Sequence, residues 1–312
     1  MRRELPHPGW ARNLIEASQL RAGERVLVVV DEPLLEQGSQ LLAAVTDAGA
    51  RGHLALWSGK APVDDGRQAN VCLFLAQEPQ GGEAAERFAL AQSVFSNGGR
   101  TMFLGFVDRE LLEGELSQPS VDLSETAAQL LAELDGAREV RVRGRAGTDL
   151  TLRVEGRPWI TDAKKLHAGE AANYPNGEVY VAPHADGADG VLVADLTVPY
   201  TVDGLVDAPV TLRFERGRVT SIDGGRAAQM LRELVADAGR GADVIAELGI
   251  GFNPTVVPRG HVMLDEKAAN TAHVAIGRNT GSYGGDNEAS IHVDCVFSGP
   301  AVEVDGRALE LP

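Results

Sequence analysis

The amino-acid sequence predicts an α/β N-terminal domain with a mostly parallel sheet, followed by an α+β C-terminal domain with a mostly antiparallel sheet. Two patterns point to this division. Up to Gly136, continuous apolar runs such as RVLVVV and VCLFL alternate with amphipathic segments, as in strands buried on both faces and joined by helices. From Ala137 the texture changes to apolar/charged alternation, as in EVRVRG, which marks strands with one wet face. The expected domains are residues 1–136 and 137–312, each long enough to bury its own core.

The first helix is expected in ARNLIEASQL, with Leu14, Ile15 and Leu20 at helical spacing and Gly23 closing it. RVLVVVDE follows as a buried strand, LLEQGSQLLAAVTDAGA as an amphipathic helix ending at Gly49, and HLALWS and NVCLFLA as further strands. AAERFALAQSVFSNGG is the next helix, TMFLGF the fourth strand, and ETAAQLLAELDGA closes the domain. The turn after the first strand, VVVDEPLLEQGS, holds a single glycine, so neither a P-loop nor a dinucleotide fingerprint is present. Asp31 and Glu32 end that strand and are expected to be solvated loop acids; His7 and His53 are expected to be structural or exposed. In the second half, EVRVRGRAGTDLTLRVEGRPW is a hairpin with Val140, Val142, Leu150, Leu152 and Val154 on one face. GVLVADLTVPY, PVTLRFERGRVTSID and AVEVDGRALEL repeat the pattern, and Ala227 to Gly239 is helical.

A net charge of −16, from 45 acidic against 29 basic residues, argues against a nucleic-acid partner, since phosphate binding needs a basic face. The two cysteines, Cys72 and Cys295, show no paired spacing, which is the usage of a reducing cytosol. No apolar run is long enough for a membrane span, and no apolar segment follows the N-terminal arginines as in a leader. A cytoplasmic protein is expected.

Groups able to bind a divalent cation gather near the C-terminus. His292 and Asp294 lie two apart in the apolar run SIHVDCVF, so on a strand both point to one face. His273 sits in TAHVAIG and Glu247 in VIAELGIG, both short strand-like segments next to glycines. Carboxylates and imidazoles suit borderline ions, and burying such a pair without a partner is costly. A lone histidine on an apolar strand is more often a satisfied core residue. In NYPNGEVYVAP the Asn-Gly turn places Glu178 at the head of a strand, where it can be aimed or merely exposed.

Four motifs, NYPNGEVYVAP, AELGIGFNP, LDEKAANTAHVAIG and SIHVDCV, occur in an order that resembles the M29 family of metal-dependent aminopeptidases. The resemblance implies a two-metal ligand set of Glu178, Glu247, His273, His292 and Asp294, with Glu247 or Asp294 bridging two divalent ions (zinc, cobalt or manganese). It also implies catalytic roles for Glu247 and for Tyr283, whose phenol would stabilise an oxyanion, a support role for Asp265, Glu266 and Lys267, a peptide or small amide substrate, and a homodimer. Two alternatives stand beside it. Mononuclear Fe(II) dioxygenases that open dihydroxypyridine rings share the HVD-type pair, but in that resemblance a histidine stands where this chain has Glu247, and Glu178 and His273 have no counterparts. The third possibility is a specialised amide hydrolase acting on one small metabolite, suggested by the short connection between His273 and His292.

Overall fold

The computed structural model describes residues 7–77 and 83–312; the N-terminal arginines lie outside them. In chain order the elements are α1 (Gly9–Ala17), β1 (Arg25–Val30), α2 (Leu35–Asp47), β2 (Arg51–Leu56), α3 (Val63–Gly66), β3 (Val71–Leu75), α4 (Glu83–Phe95), β4 (Arg100–Leu104) and α5 (Arg109–Glu113). They continue as α6 (Ser124–Leu134), β5 (Glu139–Arg143), β6 (Asp149–Arg153), β7 (Ile160–Thr161), β8 (Ala171–Asn173), β9 (Glu178–Val181) and β10 (Ala188–Ala194). The chain ends with β11 (Val210–Glu215), β12 (Arg218–Asp223), α7 (Arg226–Ala238), β13 (Ile245–Gly251), α8 (Val262–Asp265), β14 (Thr271–Gly277), β15 (His292–Ser298), β16 (Ala301–Val304) and β17 (Arg307–Leu309).

The chain divides into two compact units, the first of residues 1–121 and 164–176, the second of residues 122–163 and 177–312. The boundary thus falls ahead of α6 rather than at Gly136, and α6 packs its Ala127, Leu130 and Leu134 into the core of the second unit. Residues 164–176 return to the first unit, where β8 joins the sheet edge beside β4. Nothing in the local pattern of AAN announces a strand; the pairing is supplied by the edge of β4.

In the first unit a five-stranded sheet has the order β2-β1-β3-β4-β8, and every pair is parallel. β1 and β3 are fully buried along almost their whole length, the reason their sequences are continuous apolar runs. At the start of β4, Arg100 is nearly buried and donates to the carbonyls of Ser18 and Gln19, both at 2.8 Å, and through two nitrogens to Glu24 at 2.9 Å. Burial opposes ionisation of Glu24, yet the guanidinium outweighs it and holds the carboxyl below its ordinary range. Arg100→Met is therefore expected to cost about 3 kcal/mol, because Glu24 and two carbonyls lose their partner. Denaturant unfolding checks this, and the difference from wild type should shrink as the pH falls and Glu24 takes up a proton.

The second unit is built on two antiparallel sheets, one of seven strands in the order β12-β11-β10-β6-β5-β16-β17, the other of five in the order β15-β14-β13-β9-β7. Val140, Val142, Leu150 and Leu152 of the first share one core with Val179, Leu248, Val274 and Cys295 of the second, completed by α6 and by Ala227, Ala228 and Leu231 of α7. Among the described residues, no helix is long and apolar enough to cross a membrane.

Candidate metal centre

The five-stranded sheet of the second unit has two chemically different faces because its strands alternate side chains with period two. Val179 and Val181, Leu248 and Ile250, Ala272, Val274 and Ile276, and Val293, Cys295 and Phe297 form the core face, each with no exposed surface. The intervening residues share the opposite face: Glu178 and Tyr180 on β9, Glu247, Gly249 and Gly251 on β13, His273, Ala275 and Gly277 on β14, and His292 and Asp294 on β15. The register aligns them, with Gly249 opposite both His273 and Tyr180, Ala275 opposite Asp294, and Gly277 opposite His292. Four neighbouring strands therefore bring together all five side chains singled out from the sequence.

Two local devices aim them. Between β13 and β14 the register shifts, with Ile245 opposite Ile276 but Glu247 opposite Ala275, so Ala246 is an extra residue. This bulge keeps Ile245 and Leu248 in the core while Glu247 faces the site, and the freed Ala246 carbonyl accepts from Asn279 Nδ2 at 3.2 Å. At Gly249 a Cβ would stand 2.1 Å from His273 Cε1 and 2.2 Å from its Nε2. The imidazole thus packs directly against a bare backbone. Gly249→Ala is expected to tilt the ring away from the cluster and lower divalent-ion affinity at least tenfold; a metal titration that matches wild type would contradict it.

His273 Nε2 is the focus, 3.4 Å from Glu247 Oε1, 3.5 Å from Glu178 Oε2 and 3.9 Å from Asp294 Oδ1. His292 Nε2 lies 3.3 Å from Glu247 Oε2 and 3.1 Å from Asp294 Oδ1. Its other nitrogen, Nδ1, is 2.6 Å from the Arg278 carbonyl, which can only accept, so Nδ1 carries a proton and Nε2 is the nitrogen turned to the carboxylates, the one a metal would take. Among the described residues, three donor groups close to within 4.8 Å: Glu178, Glu247 and His273; Glu247, His292 and Asp294; and Glu266, His273 and Asp294.

Glu266 is the member of these groups that sequence reasoning placed only in a supporting role. Its backbone lies just beyond α8, in what reads as a charged turn, and the side chain is nonetheless buried. His261, the remaining histidine of this stretch, precedes α8 and belongs to none of the groups.

Buried oxygens test whether a cation fits. Glu178 Oε2 and Glu247 Oε2 are buried and accept no hydrogen bond, yet each faces an imidazole nitrogen. Oxygens and ring nitrogens converging in this way, with acceptors left over, are the chemistry of a divalent-ion site. In the protein alone the histidines stand in for that charge. Burial opposes protonation of His273, but Glu247, Glu178 and Asp294 raise its pKa to about 9, and Asp294 and Glu247 likewise raise that of His292. Burial also opposes ionisation of Glu247 and Asp294, and the two imidazoles reverse it, lowering both.

Further buried groups hold the donors in place. Lys267, with no exposed surface, places Nζ 2.9 Å from Glu266 Oε1 and 3.2 Å from Asp162 Oδ2, and donates to Glu178 Oε1. Asp162 Oδ1 accepts from the amides of Gly177 at 2.9 Å and Glu178 at 3.0 Å, which fixes the start of β9. Gly177 has φ of +134°, a backbone conformation that disfavours any side chain. Asp265 instead shapes the loop ahead of α8, where it accepts from the amides of Arg259 and Gly260, both at 2.8 Å, and from the Thr197 hydroxyl.

Tyr283 stacks on His292 with ring centroids 4.8 Å apart and an interplanar angle of 28°, and Tyr180 lies tilted against it at 5.8 Å. Its loop is stapled by Asn279 and Asn287, which exchange bonds of 2.9 and 3.1 Å. The side chains of His292 and Asp294 keep 20% and 16% exposure, against 1% for His273, so the cluster opens to solvent at β15. The other singled-out groups belong to the first unit. His7 pairs with Asp47 at 2.8 Å, His53 lies 3.6 Å from Asp65, and Asp31 accepts from the Gln77 amide at 2.7 Å.

An antiparallel sheet presenting carboxylates and imidazoles from four adjacent strands, in a chain that also carries a unit with a parallel sheet, is a donor arrangement that could hold divalent ions. The sequence model described as thermophilic metalloprotease (M29) matches residues 121–310, and the chain belongs to that family. The match starts at the boundary of the second unit and takes in every candidate donor. Aminopeptidase AmpS of Bacillus subtilis is 28% identical over 182 residues, and aminopeptidase T of Thermus thermophilus 30% identical over 181 residues. Each match covers 51% of this chain and 43% of the relative, so the matched segment spans less than half of those proteins. Among solved structures, 2,5-dihydroxypyridine dioxygenase from Pseudomonas putida KT2440 aligns with a TM-score of 0.77 over 97% of this chain and 95% of that one, at 19% identity. That likeness is one of fold.

Proposed function

We propose that the chain is a metal-dependent aminopeptidase whose second unit holds two divalent ions, zinc, cobalt or manganese, on Glu178, Glu247, His273, His292 and Asp294. Glu266 is a further donor. The observation that carries this reading is the composition of the donor groups: each has one imidazole and two carboxylates, and Glu247 turns one oxygen to His273 and the other to His292. Glu247 and Asp294 each belong to two donor groups, a sharing of carboxylates that would suit a pair of hydrolytic ions. A single redox iron of the dioxygenase kind favours two imidazoles and one carboxylate.

Bound ions of this type supply a hydroxide at near-neutral pH and polarise a scissile carbonyl. The side chains provide position and protons. His292 is fixed by its bond to the Arg278 carbonyl, and the half-open edge at His292 and Asp294 is where a substrate's N-terminus can enter. Burial, reinforced by Glu247 and Asp294, raises the pKa of Tyr283 far above the usual phenol value, so it stays an O–H donor for a developing oxyanion. Such a donor contributes about 3 kcal/mol.

Metal-reconstituted protein tested on a panel of aminoacyl-naphthylamides decides the matter. Turnover that disappears with chelator is expected, together with no oxygen uptake by iron-loaded protein given a dihydroxypyridine. Oxygen uptake without naphthylamine release would replace the hydrolase with the dioxygenase. Full metal occupancy without either activity would favour a specialised amide hydrolase.

A further inference from the structure

We propose that Lys267 is a built-in counter-cation that makes the two ends of the cluster unequal: a tight divalent-ion position at Glu247, His292 and Asp294, and a weaker, exchangeable one at Glu178, Glu247 and His273. The inference rests on the metal-dependent reading above and adds an order of occupancy to it.

Lys267 is wholly buried, and its ammonium touches three carboxylates, Asp162, Glu178 and Glu266. Two of these, Glu178 and Glu266, belong to donor groups, and in each one oxygen is already committed to Nζ. Only Oε2 of Glu178 is left to face His273. At the other end neither Glu247 nor Asp294 forms an ion pair with Lys267, and their oxygens are directed at the imidazoles. A fixed positive charge beside one position therefore both subtracts donor oxygens and repels an incoming cation, whereas the position at β15 keeps its full donor set and its opening to solvent. The same ammonium neutralises the Asp162–Glu178–Glu266 cluster when no metal is present, so the buried end of the site is able to fold without one.

The test is titration of the metal-free full chain with Mn2+, read from the electron paramagnetic resonance signal of the free ion, for wild type, Lys267→Arg and Lys267→Met. Wild type and the arginine variant should bind in two steps at least tenfold apart in affinity. In the methionine variant the weaker step should tighten at least tenfold, and Mn2+ should raise its thermal midpoint more than that of wild type. A purely structural lysine would alter stability without changing the separation of the two steps. Two equal steps in wild type, or an unchanged weak step in the methionine variant, would overturn the inference and leave the metal-dependent reading standing. No Mn2+ bound by wild type would remove that reading itself. If the methionine variant folds only with Mn2+ present, the wild-type and arginine titrations decide: two steps at least tenfold apart support the inference, and equal steps overturn it.

Discussion

Glu247→Ala is expected to weaken divalent-ion binding by more than about 100-fold and to abolish metal-dependent hydrolysis while leaving a cooperatively folded protein. Glu247 is 3% exposed, and its two oxygens face His273 and His292. Both donor groups that contain it drop to two members without it. Loss of a partner that merely supports a ligand typically costs about 10 to 100-fold in metal affinity, so loss of a shared donor should exceed that range. The fold survives because Leu248 and Ile250, on the other face of β13, still fill the core. Glu247→Gln keeps the shape but removes the charge, and the same loss of affinity is expected. Competition against a chromophoric chelator measures both variants; affinity within about threefold of wild type would show that Glu247 is no ligand.

Lys267→Met has the largest expected effect on stability, a loss of about 3 to 5 kcal/mol in the metal-free protein, because it strands buried carboxylates without their cation. Urea unfolding in the presence of chelator checks it. The pH dependence has a definite sign. Burial, together with neighbouring acids, already raises the pKa of Glu178 against the pull of Lys267, and burial raises that of Glu266. Once the ammonium is gone both rise further, so in the variant the folded state binds more protons than the unfolded chain. The variant should therefore regain stability as the pH falls and lose most at alkaline pH. An equal deficit at every pH would mean that the lysine acts through packing alone.

Much of the architecture could be read from the sequence because it is written in periodicity. RVLVVV and VCLFL lack a polar face and became central parallel strands, and EVRVR, with one, became a strand of an antiparallel sheet. His292 and Asp294 share a face for the same reason, and the glycine before Glu178 marked the start of β9. Less visible were features that depend on what arrives from elsewhere in the chain. The bulge at Ala246 follows from pairing with β14 and leaves no mark in VIAELGIG. A charged stretch such as DEK looks solvated, yet convergence of Asp162 and Glu178 on Lys267 buries it. β8 becomes a strand by adding to the edge of β4, and α6 joins the second unit because its apolar stripe packs on the core there. One hint was available: alternate glycines in ELGIG, on the face of a glutamate, announce that something must lie close against that backbone, and it is the ring of His273.

The most direct test is anomalous X-ray diffraction from crystals of the full chain grown with Mn2+, with data collected at a wavelength where manganese scatters strongly. Anomalous density is predicted between Glu247, His273, His292 and Asp294, with Lys267 still bonded to Glu178. Density only at surface carboxylates, with these side chains joined by hydrogen bonds or water alone, would contradict the assignment of a metal centre.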